Sequence, residues 1–225
     1  MPSLSLPAAP DCRVVELRQY TLHPGQRDTL IELFDREFVD TQEAVGMRVL
    51  GQFRDLDDAD RFVWFRGFAD MAARGDALPA FYGGPAWAAH RDAANATMID
   101  SDDVLLLRPA WDGAALPHPP CVEGDARGLL RVLVLHLKAP ADAALLAHCQ
   151  ATAALAWYVS EAASNNFPRL PLREGEPVLV ALALFSDAAA AEAWANDIDT
   201  RLQPWQARAS QHLRLSPTNR SAIRL

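Results

Sequence analysis

Six side chains have types and positions that could do chemistry together. Glu16, Arg18 and Tyr20 are spaced two apart in VVELRQYTL, Trp64 and Arg66 are spaced two apart in RFVWFRGF, and His136 ends LLRVLVLH. A period of two places side chains on one face of an extended strand, so each set shares a surface. Guanidiniums, a carboxylate, a phenol and an indole on one surface would orient a small polar or aromatic molecule, because pockets combine apolar walls with a few convergent polar groups. Glu16, Arg18, Trp64 and Arg66 are then substrate-binding residues. Tyr20 and His136 form the candidate catalytic acid/base pair, histidine being the side chain that titrates near neutral pH. The competing reading is structural: Glu16 pairs with Arg18, Tyr20 and Trp64 fill an interior, and His136 is a hydrogen-bonded core residue.

The elements that must position these groups begin with a strand over Val14 to Leu22, a Pro24-Gly25 turn and a helix over Gln26 to Val45. Val15 and Leu17 alternate with the polar set, and Leu30, Ile31, Phe34 and Phe38 recur at helical spacing. Packing the apolar strand face on that helix predicts that Glu16, Arg18 and Tyr20 look the other way, into a space covered by a second sheet. Met47 to Arg54 and Arg61 to Phe68 read as a hairpin around the acidic stretch Asp55 to Asp60. With Met47, Val49 and Phe53 on one face, and Val63 and Phe65 toward the helices, Trp64 and Arg66 join Arg18 and Tyr20. Asp70 to Asn95 is helical, with interruptions predicted at Pro79 and at Gly83-Gly84 and a new start at Pro85. Val104 to Arg108 completes a βαββαβ unit.

The order then repeats. Residues 110–128 are rich in proline and glycine and read as a linker. Beyond them, strands are predicted over 129–138, 157–163, 178–185 and 212–216, with helices over 142–154 and 188–198. VLVALALF, at Val178 to Phe185, is apolar on both faces, as a strand covered on each side should be. The organisation predicted is a disordered lead-in over 1–12, a first domain over 13–109, the linker, and a second domain over 129–225. The loop from Asn165 to Gly175 is long for a connection between neighbouring strands and reads either as a lid or as a stiff structural strap.

Composition narrows the function classes. Half of the 225 residues are apolar and 22% are charged, the balance of an ordinary globular chain. A formal charge of −8 argues against nucleic acid and acidic membranes as partners. No apolar run approaches a membrane span, and the N-terminus lacks the pattern of a signal peptide. Cys12, Cys121 and Cys149 fall in no metal or redox motif, which fits a reduced, cytoplasmic setting. The histidines show no metal-ligand spacing, so no metal and no cofactor is expected. His90 and His148 lie on predicted helices, the one arrangement that would suit haem as an alternative.

The segment from Val14 to Phe68 resembles the NIPSNAP domain of the dimeric α/β-barrel superfamily, chiefly through its ELRQYTLHPG opening. The second half is similar to longer bacterial NIPSNAP proteins through NNFPRLPLREGEPVLV and LSPTNRS. The resemblance implies an α+β fold with two tandem ferredoxin-like halves whose sheets close a barrel inside one chain, helices outside. Homodimerisation would then be optional. It also implies a small polar or aromatic ligand in the barrel lumen, handled as in cofactor-independent monooxygenases or isomerases, or held without turnover by a binding protein or scaffold. Matching Pro24 to Pro140 sets His136 opposite Tyr20, Val134 opposite Arg18 and Val132 opposite Glu16.

Overall fold

In the computed structural model, which describes residues 12–117, 124 and 126–225, eight strands close into a barrel. The first half runs β1 (Val14–Leu22), α1 (Arg27–Leu33), a π-helical turn (Phe34–Phe38), α2 (Val39–Glu43), β2 (Arg48–Asp55), β3 (Arg61–Phe68), α3 (Met71–Tyr82), α4 (Pro85–Asn95) and β4 (Met98–Pro109). The second runs β5 (Leu129–His136), α5 (Ala143–Gln150), β6 (Ala156–Ser160), β7 (Val178–Phe185), α6 (Ala188–Leu202), a 3-10 turn (Gln203–Trp205) and β8 (Gln211–Pro217).

Around the barrel the order is β1-β3-β2-β8-β5-β7-β6-β4. Each half supplies four strands in the same relative order, and every pairing is antiparallel. Two short seams join the halves, one pairing Phe53 with Pro217 and the other Leu107 with Ser160. The two βαββαβ units and the intrachain barrel expected from the sequence are therefore present. The lead-in lies almost wholly outside the described residues. Part of the predicted linker packs: Leu116 is in the barrel interior, while Ala110 and Ala114 lie against the second half's helices.

The direction of each strand face reverses the expectation. Val15, Leu17, Val63 and Phe65 point inward and meet Val132, Val134, Val180, Leu182 and Leu213 from the other half in one continuous apolar core. Tyr20, Phe62, Trp64 and Phe68 point outward, where they pack with Leu30, Ile31, Phe34, Phe38 and Phe81 from the helices. The lumen is filled with side chains, so it is not the expected chamber. An eight-stranded barrel leaves room for little more than its own side chains, and a dry interior favours aliphatic fill over ions that would lose their hydration there.

Local differences have local causes. The helix predicted over Gln26 to Val45 is interrupted by the π-helical turn at Phe34–Phe38. Pro79 sits inside α3, and the break comes only at Gly83-Gly84. A bulge between Val49 and Gly51 shifts β2 by one residue, so Met47 and Val49 face the helices while Phe53 faces the barrel. The residue at the bulge is glycine because a Cβ there would lie 2.8 Å from the Phe53 ring. Strand β4 begins earlier than predicted because Met98 and Asp100 pair with Leu22 and Thr21; pairing overrides their polar composition.

Candidate functional site

Between the sheet of the first half and its helices lies a buried ionic centre. Glu16 on β1 is fully buried and meets Arg18 at 2.7 Å, Arg66 at 2.7 Å and Arg74 at 2.8 Å. Arg18 and Arg66 come from neighbouring strands, which the register sets side by side: Glu16 is paired with Arg66 and Arg18 with Trp64. Arg74 comes from α3, on the face that also carries Ala77, Leu78 and Phe81. Burial alone would raise the Glu16 pKa, but Arg66, Arg18 and Arg74 together hold the carboxyl well below its usual range. Glu16 is thus a firmly ionised counter-charge and a poor proton acceptor.

Three positive charges surround this one carboxylate, and the other polar groups around them are neutral. Arg18 Nε donates to the Tyr20 hydroxyl at 3.0 Å, and Arg74 Nη1 donates to the side-chain oxygens of Asn165 and Asn166 at 3.1 and 2.6 Å. Arg66 Nη1 has only long contacts, 3.4 Å to Gln42 Oε1, 3.4 Å to the Tyr82 hydroxyl and 3.9 Å to Met47 Sδ. The guanidiniums also lie over aromatic rings, Arg66 5.2 Å from Trp64 and Arg18 5.4 Å from Tyr20, an arrangement favourable for a desolvated cation. Burial raises the Tyr20 phenol above its ordinary range against the pull of Arg18, so Tyr20 is neutral and a proton donor.

A narrow cleft with about 30 Å³ of free space adjoins this centre, lined by Tyr20, Trp64, Gln42, Tyr82, Trp87 and the phenylalanines of the π-helical turn among others. Trp64 is packed edge-on by Phe34 at 4.8 Å and by Tyr20 at 6.0 Å. The π-helical turn contributes both Phe34 and Phe38 to the lining, a role such bulges often have at functional sites. Trp64 Nε1 is buried without a hydrogen-bond partner among the described residues. Among those residues no carboxylate, imidazole or amine lines this cleft.

The second half closes one side of the site. Its 165–175 loop is a strap across the first half, with Phe167 stacked on Tyr82 at 5.9 Å and buried among the first-half aromatics. Asn166 also donates to the Met71 carbonyl, an approach so close that a Cβ on Gly75 would lie 2.8 Å from Asn166 Nδ2. Further along, Arg173 bridges Asp103 and Glu176 at 3.0 and 2.7 Å. The geometry is that of the structural strap, laid over the sheet–helix layer and not over an open lumen.

The structure gathers Glu16, Arg18, Tyr20, Trp64 and Arg66 in one layer but leaves His136 out. His136 is on the inward phase of β5 with Val132 and Val134, where it meets Arg208 at 3.2 Å and Glu176 at 3.5 Å. Burial and the nearby Arg208 and Arg173 charges lower its pKa. The predicted acid/base pairing with Tyr20 is therefore corrected: the two side chains lie on opposite faces of the barrel wall. Sequence reasoning missed Arg74, Gln42, Tyr82 and the strap asparagines. For Arg74 a signal existed, an arginine in helical register with Ala77, Leu78 and Phe81.

The imidazoles considered for haem are both outside the ionic centre. His90 on α4 is partly exposed, with Nε2 3.3 Å from Glu37, and His148 on α5 packs against Trp205 at 5.3 Å. Among the described residues no three His, Cys, Asp or Glu side chains gather as a metal site, and no helix is long and apolar enough to cross a membrane.

The fold is shared with proteins of other sequences. A "putative monooxygenase" from Fusobacterium nucleatum superposes with a TM-score of 0.61 at 10% identity, over 92% of this chain and 93% of that one. A "putative monooxygenase" from Lactobacillus acidophilus gives 0.55 at 12% identity, over 96% and 100%. An anthrone oxidase-like protein gives 0.52 at 13% identity, over 94% and 93%. At such identities the likeness is one of fold. No curated protein matches the sequence significantly. The NIPSNAP family matches residues 15–112, the stretch that carries the ELRQYTLHPG opening and every first-half strand, so this part of the chain is a NIPSNAP domain.

Proposed function

We propose that the sheet–helix cleft of the first half binds a small, planar aromatic molecule and promotes loss of a proton from it, in the manner of a cofactor-independent monooxygenase or isomerase. The observation that carries this reading is the juxtaposition of an aromatic-lined cleft with a buried centre in which guanidiniums outnumber the carboxylate. Such a centre stabilises negative charge as it develops, because fixed cations in a water-poor site act strongly and need no reorganisation. Arg18 would hold the electron-rich oxygen of an enol or hydroxyaromatic, Arg66 would orient the rest of the molecule, and Tyr20, neutral and hydrogen-bonded to Arg18, would donate to that oxygen. With Glu16 already saturated, the substrate must be acidic enough to ionise under the influence of those cations.

For a ketone with an activated benzylic methylene, the chemistry balances with dioxygen as the oxidant. The methylene carbon loses both hydrogens and gains one oxygen atom as a carbonyl, and the second oxygen atom leaves with those hydrogens as one water. Reprotonation of the same anion at another atom would be an isomerisation. The test is oxygen uptake and ultraviolet absorbance of the full chain with 2-tetralone, a two-ring ketone with an activated benzylic methylene, alongside calorimetric binding of the same compound. Turnover that falls about 100-fold or more in Tyr20→Phe supports the assignment. Binding without turnover would favour a metabolite-binding protein, the reading suited to a cleft that holds no free base, and absence of binding would remove the site itself.

A further inference from the structure

Donors outnumber acceptors among the polar groups that line the cleft, Trp64, Tyr82 and Gln42, and in Arg66 behind them. Trp64 Nε1, on a side chain 2% exposed, has no acceptor among the described residues. Arg66 Nη1 reaches only contacts of 3.4 Å or longer. The Tyr82 hydroxyl is an acceptor from Arg66, and no acceptor for its own proton is found among the described residues. Arg66 lies 5.2 Å from the Trp64 ring and 5.9 Å from the Tyr82 ring, so these donors serve one small region. A buried donor left unmatched, as Trp64 Nε1 is, costs stability, and a donor-rich site beside an excess of positive charge calls for an acceptor that is itself anionic.

We infer that the cleft recognises an aromatic carboxylate, its carboxylate oxygens accepting from Arg66 Nη1, Trp64 Nε1 and the Tyr82 hydroxyl while its ring lies against the Phe34 and Phe38 wall. This rests on the cleft being a ligand site, as proposed above, and adds the charge and the orientation of what enters. A carboxylate fits better than a lone phenolate oxygen because it offers two acceptor atoms with about four lone-pair directions to three separate donors. It also offsets part of the excess positive charge around Glu16. The free space with the mouth left out is about 30 Å³, so a ring enters only as the aromatic side chains that line the cleft turn aside. Arg18 and Tyr20, at the other side of Trp64, are left to face a reacting group. The field of the whole chain does not supply this preference: at a formal charge of −8 it repels anions.

The experiment compares 1-naphthoate, its neutral isostere 1-naphthamide and the cation 1-naphthylmethylammonium by titration calorimetry on the full chain, at low salt and at 0.5 M salt. The expected result is naphthoate bound at one per chain, about tenfold or more tighter than the amide, with the preference kept in high salt as for a buried site. Trp64→Phe, which keeps an aromatic ring and removes the N–H, should weaken naphthoate about fivefold or more and leave the amide within about twofold. Tyr82→Phe should act in the same direction. Equal binding of acid and amide would overturn the carboxylate assignment while leaving an aromatic cleft in place. Preference for the cation would overturn it also, and an acid preference untouched by either variant would overturn the placement. Failure of all three probes to bind would remove the cleft reading along with it.

Discussion

Replacing Glu16 by glutamine keeps the size of the side chain and removes the only carboxylate among three buried guanidiniums. Removing one partner of a buried ion pair typically costs about 3–5 kcal/mol, because the remaining charge is left dry and unpaired. Here the charge left behind is triple, and Arg18 and Arg66 are essentially without solvent access, so the upper part of that range applies. Against a usual folding stability of about 5–15 kcal/mol, and with a urea slope near 3 kcal/mol/M for a chain of this size, the midpoint of unfolding should fall by about 1–2 M. Adding Arg74→Met to Glu16→Gln should restore part of the loss. Arg74 is the natural partner to remove, since its Nη2 already lacks a hydrogen-bond partner, and the double variant should be about 1–3 kcal/mol better than the sum of the singles.

The same carboxylate sets an acid limb. Its folded pKa lies well below the unfolded value of 4.5, so its stabilisation is present above pH 4.5 and disappears as pH falls toward the folded value. Wild-type protein should lose stability steeply on acidification below about pH 4.5, and Glu16→Gln should lack that part of the slope. Circular dichroism during urea titration at pH 7 and at a series of acid pH values measures both effects. A Glu16→Gln midpoint within about 0.3 M of wild type, with the acid slope intact, would refute the claim that this residue neutralises the arginine cluster.

Phe167→Ala should cost about 3–5 kcal/mol, since it removes a buried ring stacked on Tyr82 and leaves a cavity under the strap; thermal unfolding and proteolysis within 165–175 would both register it. Asp35, on the π-helical turn, has its pKa pushed up to about 6 by burial, with Thr218 and Arg220 opposing. A raised carboxyl pKa means that stability is full below the unfolded value of 3.8 and declines as pH rises through about 6. Asp35→Asn should therefore be more stable than wild type by about 1–2 kcal/mol at pH 8, after allowance for partial solvent screening, and equal to it below about pH 4. Urea midpoints at the two pH values decide the matter.

Much of the architecture was legible because it rests on strong periodicities. VVELRQYTL and RFVWFRGF alternate cleanly, and VLVALALF reads as covered on both sides, which in the barrel it is: Val180 and Leu182 point inward while Leu179 and Ala181 meet the helices. The membership of the candidate site was legible for the same reason, since Glu16, Arg18, Tyr20, Trp64 and Arg66 do share a surface. Which side of the wall that surface faces was not. Alternation separates a strand into two faces and carries no label for inside and outside. The residues that settle it are remote in sequence: Arg74, seated in α3 on the sheet-facing side, and Asn165 and Asn166, brought from the second half. The π-helical turn and the bulge at Gly51 were equally invisible, as each comes from packing and not from local preference.

The same ambiguity separates His136 from Tyr20. Counting from the two prolines puts them at equal positions, yet the inward residues of β1 are Val15 and Leu17 while those of β5 are Leu130, Val132 and Val134. An offset of one residue sends every side chain of a strand to the other face, so the real counterparts of the polar set on the helix-facing side of β5 are Leu133 and Leu135 with a single arginine, Arg131, which pairs with Glu192 of α6 at 3.0 Å. Those leucines pack with Leu145, Ile198 and Leu202 from the second half's helices, with no buried arginine cluster among them. The two halves thus share a fold and divide the work. One half holds charge in a dry layer, which costs stability on its own, while the other supplies an aliphatic layer, half of the barrel core and the strap that fixes Arg74 and Tyr82. Among the described residues the buried arginine cluster therefore lies in the first half alone, and the second half supplies its roof.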